Sequence, residues 1–234
     1  MTSPPHLVSP SQVTSPLDIY GEDLLTALDG TPPTTWLQYE DGRTVVLDLP
    51  RWTRPACGAA DEALLDRCGS PTLDLGCGPG RLTRALVARG LDCLGVDVAP
   101  VAVALARHGG APVLHASAFD AVLDDTRWST VLLADGNIGI GGNPVCLLAR
   151  CRELLTDSGH VLVELDPPSD PTRTVRVQVA SSSGRRSSWF GWAHVSVRDI
   201  EDVALQAGLR TVEVWNSAGR WFAELEWPAG GRSG

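Results

Sequence analysis

From Pro71 onward, short continuous apolar runs alternate with segments in which apolar residues recur at helical spacing. Short runs, TLDL, CLGVD, PVLHA, TVLLAD and HVLVELD, are apolar almost throughout, as strands buried on both faces of a parallel sheet must be. The segments between them carry apolar residues at helical spacing, and one of them follows a capping Asn143 and a first-turn Pro144. This rhythm predicts an α/β fold with a doubly wound, mostly parallel sheet.

Smaller elements are predicted on both sides of this core. The segment RTVEVWNSAGRWFAELEW predicts a C-terminal antiparallel β-hairpin, which brings the sheet to seven strands. Nearer the N-terminus, LDIYGEDLLTALDG is a helical pattern that stops at Gly30. The following segment, WLQYEDGRTVVLDL, predicts a β-hairpin that turns at Asp41 and Gly42. The chain therefore carries a small N-terminal extension made of a helix and a hairpin.

These patterns divide the 234 residues into parts. We expect residues 17–70 to form the N-terminal extension, or cap, and residues 71–228 to form one α/β domain with an insert at about 168–195. The Pro- and Ser-rich residues 1–16 and the tail at 229–234 are predicted to be disordered.

Charge and composition narrow the class of function. The formal net charge of −9 argues against nucleic acid as the main partner, because nucleic-acid binders usually present a basic face. No apolar run approaches the roughly 20 residues that cross a bilayer, and no signal-peptide core is present, so we expect a soluble protein with no membrane partner. The six cysteines form no C-x-x-C pair, which favours reduced thiols, a cytoplasmic location and no metal site. The oligomeric state stays open.

A glycine-rich loop, LDLGCGPGR, ends the first core strand where a helix begins. Such a loop lets a ligand lie against bare backbone at the positive end of the helix dipole. The dinucleotide fingerprint is G-x-G-x-x-G, in which the third glycine allows close packing of the helix on the strand. Here Gly76, Gly78 and Gly80 form G-x-G-x-G, and the third fingerprint position is Arg81, whose side chain we expect to crowd that packing. The pattern therefore disfavours a dinucleotide.

Two aspartates beside the loop indicate which ligand it holds. Asp97 ends the second strand, where a carboxylate can accept both hydroxyls of a ribose in either a nicotinamide or a nucleoside cofactor. Asp74 lies just under the loop, where a carboxylate would repel a pyrophosphate but can bind an ammonium group directly or through water. A ligand with an adenosine ribose and an amino-acid tail meets both demands, and S-adenosylmethionine is such a ligand.

The motifs LDLGCGPGR and GVDVAP, together with the closing hairpin, resemble those of the class I (Rossmann-like) S-adenosylmethionine-dependent methyltransferases over about residues 71–227. The resemblance implies that the loop glycines line the methionine tail, that Asp97 binds the ribose and that ASAF, after the third strand, holds the adenine. It also implies that Asp135 lies beside the sulfonium and the substrate. The cofactor-binding residues so implied are Asp74, Gly76, Cys77, Gly78, Gly80, Asp97, Val98, Ser117, Ala118, Phe119 and Asp135.

Candidate catalytic and substrate residues follow from the same resemblance and from side-chain chemistry. Asp135 is a candidate catalytic residue because the resemblance implies that it lies beside the sulfonium and the substrate. His194 is another, because a hydroxyl acceptor must lose a proton and imidazole is suited to accept it. His115 is a second candidate base. Candidate substrate contacts are Asn137, Trp52 and Arg54. The segment VELDPP resembles the D-P-P-Y motif of methyltransferases that act on bases, but it follows the fifth strand and lacks the aromatic residue, so we reject that interpretation.

The sequence thus predicts methyl transfer from S-adenosylmethionine to a small or medium-sized organic acceptor through oxygen, nitrogen or carbon. The cofactor supplies the reactive group, while the protein aligns the acceptor. Two alternatives remain: a nicotinamide-dependent oxidoreductase, and a protein that binds S-adenosylmethionine without catalysis. Loops around a shared cofactor core set specificity, so the acceptor cannot be identified from the motifs.

Overall fold

The computed structural model describes residues 14–28, 34–56 and 58–228. In chain order the strands are β1 (Thr35–Tyr39), β2 (Thr44–Val46), β3 (Thr72–Leu75), β4 (Cys93–Asp97), β5 (Val113–His115), β6 (Trp128–Leu133), β7 (Leu155–Leu165), β8 (Arg173–Ser181), β9 (Phe190–His194), β10 (Arg210–Ser217) and β11 (Arg220–Glu226). The α-helices are α1 (Pro16–Leu28), α2 (Leu49–Thr53), α3 (Ala59–Leu65), α4 (Arg81–Ala88), α5 (Pro100–His108), α6 (Pro144–Leu154) and α7 (Ile200–Gln206).

The larger sheet has seven strands in the order β10-β11-β7-β6-β3-β4-β5. The five strands from β7 to β5 are parallel, and β11 runs antiparallel to both β7 and β10. The predicted α/β fold with a C-terminal antiparallel hairpin is therefore confirmed.

Both faces of this sheet are buried, which explains its apolar strands. In β6, Val131 and Leu133 pack into the cluster that contains α6 and α7, whereas Leu132 packs into the opposite cluster with α3 and α4. All three side chains are fully buried. Helix α6 begins as the sequence predicts, since the Asn143 side chain accepts a hydrogen bond from the Cys146 amide at 3.0 Å.

A second sheet of four strands, in the order β2-β1-β8-β9, joins two distant parts of the chain. Strand β1 of the N-terminal hairpin pairs with β8 of the insert, from Thr35 opposite Ser181 to Tyr39 opposite Val177. The sequence analysis predicted the hairpin and the insert but not their pairing. The two segments form one structure, which we call the cap sheet.

The cap sheet packs directly on the loop that follows β6. A Cβ on Gly139 would lie 2.4 Å from the Ala193 carbonyl oxygen of β9, so a larger residue would force the two segments apart. The glycine-rich stretch after β6 therefore allows a close approach between the sheets.

The N-terminal boundary differs from the expected one. Residues 1–13 and 229–234, predicted to be disordered, lie outside the described residues, as does the predicted helix stop at Gly30. Residues 14–16, which the sequence analysis placed in the disordered segment, are structured: Thr14 bridges to Ser187, and Pro16 begins α1.

Within residues 14–28, 34–56 and 58–228, the cysteines are free, and three or more side chains that could hold a metal ion do not gather at any point. Cys57 lies outside this part of the chain. None of the described helices is both long and apolar enough to cross a membrane.

Candidate functional site

A cavity of about 690 Å³ lies between the carboxyl ends of β3, β4 and β6 and the cap sheet. Ligands of doubly wound sheets bind at this edge, and the volume is in the range of small-molecule sites. Its walls are largely apolar, and the side chains that provide them are Leu17, Leu37, Val45, Val46, Leu47, Ile138, Ile140, Val179, Phe190 and Trp192.

The glycine loop forms the floor of the cavity. Gly76, Cys77 and Gly78 line it, as predicted, whereas Gly80 does not. Gly80 has a φ of +81°, and a Cβ there would lie 2.9 Å from the Ala106 Cβ of α5. Gly80 therefore allows α5 to pack closely against the loop, and its predicted contact with the cofactor stays a prediction.

Asp97 holds the loop in shape from the end of β4. Its Oδ2 accepts a hydrogen bond from the Gly78 amide at 2.8 Å, and its Oδ1 accepts one from the Ala99 amide at 2.7 Å. Burial raises the pKa of Asp97, and the hydrogen bonds from Ala99 and Gly78 oppose that effect. Val98 also contributes a backbone hydrogen bond, and because a carboxylate has about four lone-pair positions, these bonds leave acceptor capacity free. Asp97 and the neighbouring Val98 both line the cavity.

Asp74 lies beneath the loop and is almost completely buried. The Thr83 hydroxyl donates a hydrogen bond to its Oδ2 at 2.7 Å. Burial raises the pKa of Asp74 to about 6, although the Thr83 bond lowers it. Asp74 is therefore a partly compensated carboxyl group at the cavity wall, suited to an incoming cation.

The segment after β5 places two of three predicted residues in the cavity wall. Ser117 and Ala118 line the cavity. Phe119 is 48% exposed and does not line it, so the predicted adenine contact through Phe119 is not supported by the structure. The Ser117 amide instead donates to Asp120 Oδ2 at 2.8 Å, which turns the chain away from the sheet.

A cluster of six charged side chains lies at the wall of the cavity, with three positive and three negative charges. Its members are Arg51, Arg81, Arg220, Asp61, Asp135 and Glu164. Arg220 binds Glu164 through two nitrogens, at 2.7 and 2.6 Å, and reaches Asp61 at 2.7 Å. We call this group the arginine–carboxylate cluster.

The cluster changes the role of Asp135. Its Oδ2 lies 2.8 Å from Arg81 Nη2, and its Oδ1 lies 2.9 Å from Arg51 Nη2 and 3.2 Å from Arg220 Nη2. Asp135 lines the cavity, as the resemblance implies, but three guanidinium groups occupy its oxygens. These contacts make Asp135 a member of the cluster and do not support its predicted role as a proton acceptor, which stays a prediction.

Of the three predicted substrate contacts, two line the cavity and one does not. Trp52 lines the cavity and packs edge-on against Tyr20, with ring centroids 6.1 Å apart. Asn137 also lines it, but its side-chain nitrogen donates to the Leu75 and Gly76 carbonyls, both at 2.9 Å, so it fixes the loop. Arg54 is exposed and lies outside the wall, so its predicted contact is not supported.

The two candidate bases occupy different surroundings. His194 lines the cavity, where its Nδ1 lies 2.9 Å from Asp166 Oδ2 and its Nε2 lies 2.8 Å from the Tyr39 hydroxyl. His115 is exposed, and its Nε2 contacts the Val98 carbonyl at 3.1 Å. The structure thus places His194, and not His115, beside the cavity.

The polar residues of the wall that sequence reasoning missed include Arg51, Tyr39 and Asp166. Arg51 lies three positions before the residue chosen, Arg54, on the helical turn that faces the cluster. Asp166 lies in the VELDPP segment, whose resemblance to the D-P-P-Y motif gives no signal for a contact with His194. Neither Tyr39 nor Asp166 is near His194 in sequence, so local patterns gave no signal for their contact.

Comparisons with known proteins agree with this fold. Residues 72–159 match the family model described as a methyltransferase domain. An S-adenosylmethionine-dependent methyltransferase from Bacteroides fragilis, solved with S-adenosyl-L-homocysteine, is 15% identical, with 93% of this chain and 98% of that chain covered and a TM-score of 0.77. A search of curated proteins found no match.

Two further solved structures are similar over about three quarters of the chain. The CcbJ methyltransferase from Streptomyces caelestis is 17% identical, covering 76% of this chain and 92% of that chain with a TM-score of 0.59. The glycopeptide N-methyltransferase MtfA, solved with S-adenosyl-L-methionine, is 16% identical, covering 73% and 93% with a TM-score of 0.55. The chain therefore has the class I methyltransferase fold, residues 72–159 match the methyltransferase-domain model, and the resemblance predicted from its sequence is confirmed.

Proposed function

We infer that the protein transfers the methyl group of S-adenosylmethionine to a small or medium-sized organic acceptor. The observation that carries this function is the loop at Gly76–Gly78 with Asp97, held at the carboxyl ends of β3 and β4 on one side of a cavity that the cap sheet closes on the other. The bound cofactor would supply an electrophilic methyl group and a neutral leaving group.

The residues present fit such a cofactor. The backbone bonds to Asp97 leave part of the carboxylate's acceptor capacity for a ribose hydroxyl. The Asp74 carboxylate accepts a hydrogen bond from the Thr83 hydroxyl. The ammonium group of the cofactor would balance the remaining negative charge of this buried carboxylate. The proposed cofactor residues are those of the predicted set that line the cavity: Asp74, Gly76, Cys77, Gly78, Asp97, Val98, Ser117, Ala118 and Asp135.

The acceptor would occupy the part of the cavity under the cap sheet. This part is formed by aliphatic side chains with Trp52, Phe190 and Trp192. Such walls favour an apolar or aromatic molecule with few polar groups. The neighbouring MtfA structure is named as a glycopeptide N-methyltransferase, and another is an O-methyltransferase solved with 1,4-dihydroxy-2-naphthoic acid, so the fold itself leaves the acceptor atom open.

Calorimetric titration with S-adenosylmethionine, S-adenosylhomocysteine, NADH and NADPH tests the cofactor. Each hydrogen bond to a charged acceptor contributes about 1.5–3 kcal/mol, so Asp97→Ala is expected to weaken both S-adenosyl compounds roughly 10- to 100-fold. Asp97→Asn is expected to weaken them less, because its amide oxygen still accepts one bond. Asp157→Ala is the matched control, because Asp157 is exposed at the opposite end of β7.

Two results would contradict the proposal. Binding of NADH in preference to S-adenosylhomocysteine would favour the oxidoreductase alternative. Binding of S-adenosylmethionine without release of S-adenosylhomocysteine, in the presence of a broad set of small acceptors, would favour a protein that only binds the cofactor.

A further inference from the structure

We propose that Tyr39, His194 and Asp166 form a proton relay that removes the proton from a hydroxyl acceptor, so that the protein is an O-methyltransferase of phenol-type molecules. This inference rests on the proposed function and adds the acceptor atom and the groups that activate it.

The three residues come from three elements that meet only in the folded protein. Tyr39 ends β1, His194 ends β9, and Asp166 directly follows β7. The Asp166 amide donates to the Val195 carbonyl at 2.9 Å, and its own carbonyl accepts from the Val197 amide at 3.0 Å. The Asp166 backbone, directly after β7, is therefore bonded to residues 195–197, which follow β9, and this brings its side chain beside His194.

The contacts fix the direction in which a proton can move. Asp166 Oδ2 lies 2.9 Å from His194 Nδ1, and an ionised carboxylate only accepts, so the Nδ1–H group donates to it. His194 Nε2 is then the free acceptor, and the Tyr39 hydroxyl, 2.8 Å away, donates to it. The rings of Tyr39 and His194 are stacked with centroids 5.8 Å apart, which fixes their relative orientation.

The surroundings keep Tyr39 protonated but supply nearby positive charge. Burial raises the pKa of Tyr39, so the phenol keeps its proton at neutral pH and can donate it to His194. Arg173 opposes that increase, and the Arg43 guanidinium lies 5.2 Å from the centre of the Tyr39 ring. Both cations favour the negative charge that develops on oxygen when a proton leaves, whereas Asp166 disfavours it.

The relay ends on the wall of the proposed acceptor site. Tyr39, His194 and Asp166 all line the cavity that also contains the glycine loop and Asp97. A hydroxyl placed against Tyr39 would donate its proton to the Tyr39 oxygen, while Tyr39 passes its own proton to His194 Nε2. With the cofactor bound, the acceptor oxygen would form the C–O bond to its methyl group, the electrons of the C–S bond would leave with the sulfur as a neutral thioether, and the proton would remain on the His194 imidazole beside Asp166.

This chemistry selects oxygen over nitrogen. A neutral hydroxyl is a weak nucleophile and needs a proton acceptor at its own atom, whereas a neutral amine attacks through a free electron pair. The polar groups of Tyr39, His194 and Asp166 are surrounded by aliphatic and aromatic side chains. The ring of a phenol can contact these apolar side chains while its hydroxyl contacts the polar groups. A phenol-type acceptor therefore satisfies the wall and the relay together.

The relay can be tested without turnover by using 4-nitrophenol, whose ionised form absorbs visible light. With S-adenosylhomocysteine bound, at a pH where free 4-nitrophenol is mostly protonated, we expect the ratio of ionised to neutral probe to be about tenfold higher in the wild type than in solution. Tyr39→Phe, which keeps the stacked ring, and His194→Gln are expected to return this ratio to the solution value. Asp166→Asn is expected to give an intermediate ratio. His108→Gln is the control, because His108 is exposed at the end of α5.

Turnover gives the second measurement. With methyl-labelled S-adenosylmethionine and matched phenol and aniline acceptors, His194→Gln is expected to lower kcat for the phenol about 100-fold or more, with little effect on the aniline. The affinity for S-adenosylhomocysteine, measured by calorimetry, is expected to stay at the wild-type value in all three relay variants.

The outcomes separate the two proposals. Failure of the wild type to bind S-adenosylhomocysteine would remove the proposed function itself. Normal S-adenosylhomocysteine binding with the same probe ionisation in the wild type and in His194→Gln would overturn the relay alone. Absence of binding by both 4-nitrophenol and a larger nitronaphthol, or equal loss of phenol and aniline methylation in His194→Gln, would overturn the assignment of a phenol acceptor.

Discussion

The two sides of the cavity are built by opposite means. On the cofactor side, the glycine loop and Asp97 come from one continuous segment, from β3 to the start of α5, and the Asp97 carboxylate holds the loop through backbone amides. The cap-sheet side comes from β1 and β8, which are far apart in the chain, and its chemistry is carried by side chains. A short motif can therefore specify the cofactor side, whereas only the complete fold creates the acceptor side.

Charge is distributed differently on the two sides as well. Beneath the cofactor side, the Arg81 and Asp61 side chains of the arginine–carboxylate cluster are each only 4% exposed. On the cap sheet, Arg176 and Glu40 form a pair 3.1 Å apart, but their side chains are 60% and 54% exposed. Ion pairs in the first setting are expected to affect stability strongly, and those in the second only weakly.

The largest effect is expected from Arg81→Met. Removal of one partner from a buried ion pair leaves its carboxylates poorly compensated, so the variant is expected to lose about 3–5 kcal/mol of unfolding free energy in urea denaturation. Arg89→Met is the matched control, because Arg89 also contacts two carboxylates, Glu62 and Asp66, but those are 55% and 69% exposed. Equal losses of unfolding free energy in the two variants would show that burial does not increase the contribution of these ion pairs to stability.

Asp74 is expected to give the next largest effect, through pH. Its pKa is raised to about 6 in the folded protein, so between about pH 4 and 6 the folded state keeps a proton that the unfolded chain has lost. Stability from this group is therefore highest below that window and falls as the pH rises through it, by about 3 kcal/mol in total. In Asp74→Asn the fall is expected to be absent. Parallel curves of unfolding free energy against pH for the two proteins would contradict this prediction.

A smaller effect, confined to the cap side, is expected from Thr35→Val. The Thr35 hydroxyl donates to Asp23 Oδ2 at 2.6 Å, and both residues are buried, so α1 is tied to β1. Loss of this donor beside a buried carboxylate costs about 1–3 kcal/mol. Hydrogen exchange is expected to become faster in β1 and β8 and to remain unchanged in β3 and β6. Uniform acceleration in both sheets would show that they unfold as one unit.

The smallest effect is expected from Arg176→Met on the exposed face of the cap sheet. Exposed pairs of this kind contribute about 0–1 kcal/mol, so urea midpoints of the variant and the wild type are expected to be nearly equal. A loss as large as that of Arg81→Met would remove the contrast between the two regions.

The sequence was sufficient for the parts of the molecule that depend on neighbours along the chain. The strands of the larger sheet are apolar because both faces are buried, and this leaves a direct signal in segments such as TVLLAD. The predicted turn at Asp41 and Gly42 does lie between β1 and β2. The positions of Asp97 and Gly78 at the cavity also followed from the loop motif alone.

The remaining features depend on contacts between distant segments. Val175, Val177 and Val179 alternate with polar residues in RTVRVQVAS, which is a strand signal, but nothing in that segment identifies β1 as its partner. The dinucleotide fingerprint indicates only that Arg81 occupies the position of its third glycine. The ion-pair partner of Arg81, Asp61, lies in the N-terminal extension, so the loop motif gives no signal for this contact. The ion pairs of Asp135 involve three arginines that are scattered along the chain, so a local pattern could not reveal them.

The pairing of Thr35 with Ser181 has a consequence for the order of events during synthesis. At about 5–20 residues per second, β1 leaves the ribosome on the order of ten seconds before its partner β8 exists. A hairpin of two short strands is marginally stable in water, so β1 and β2 have no lasting structure during this interval. The first strands to be translated are thus among the last to pair stably. The parallel strands β3 to β6 are therefore synthesised before the cap sheet can form.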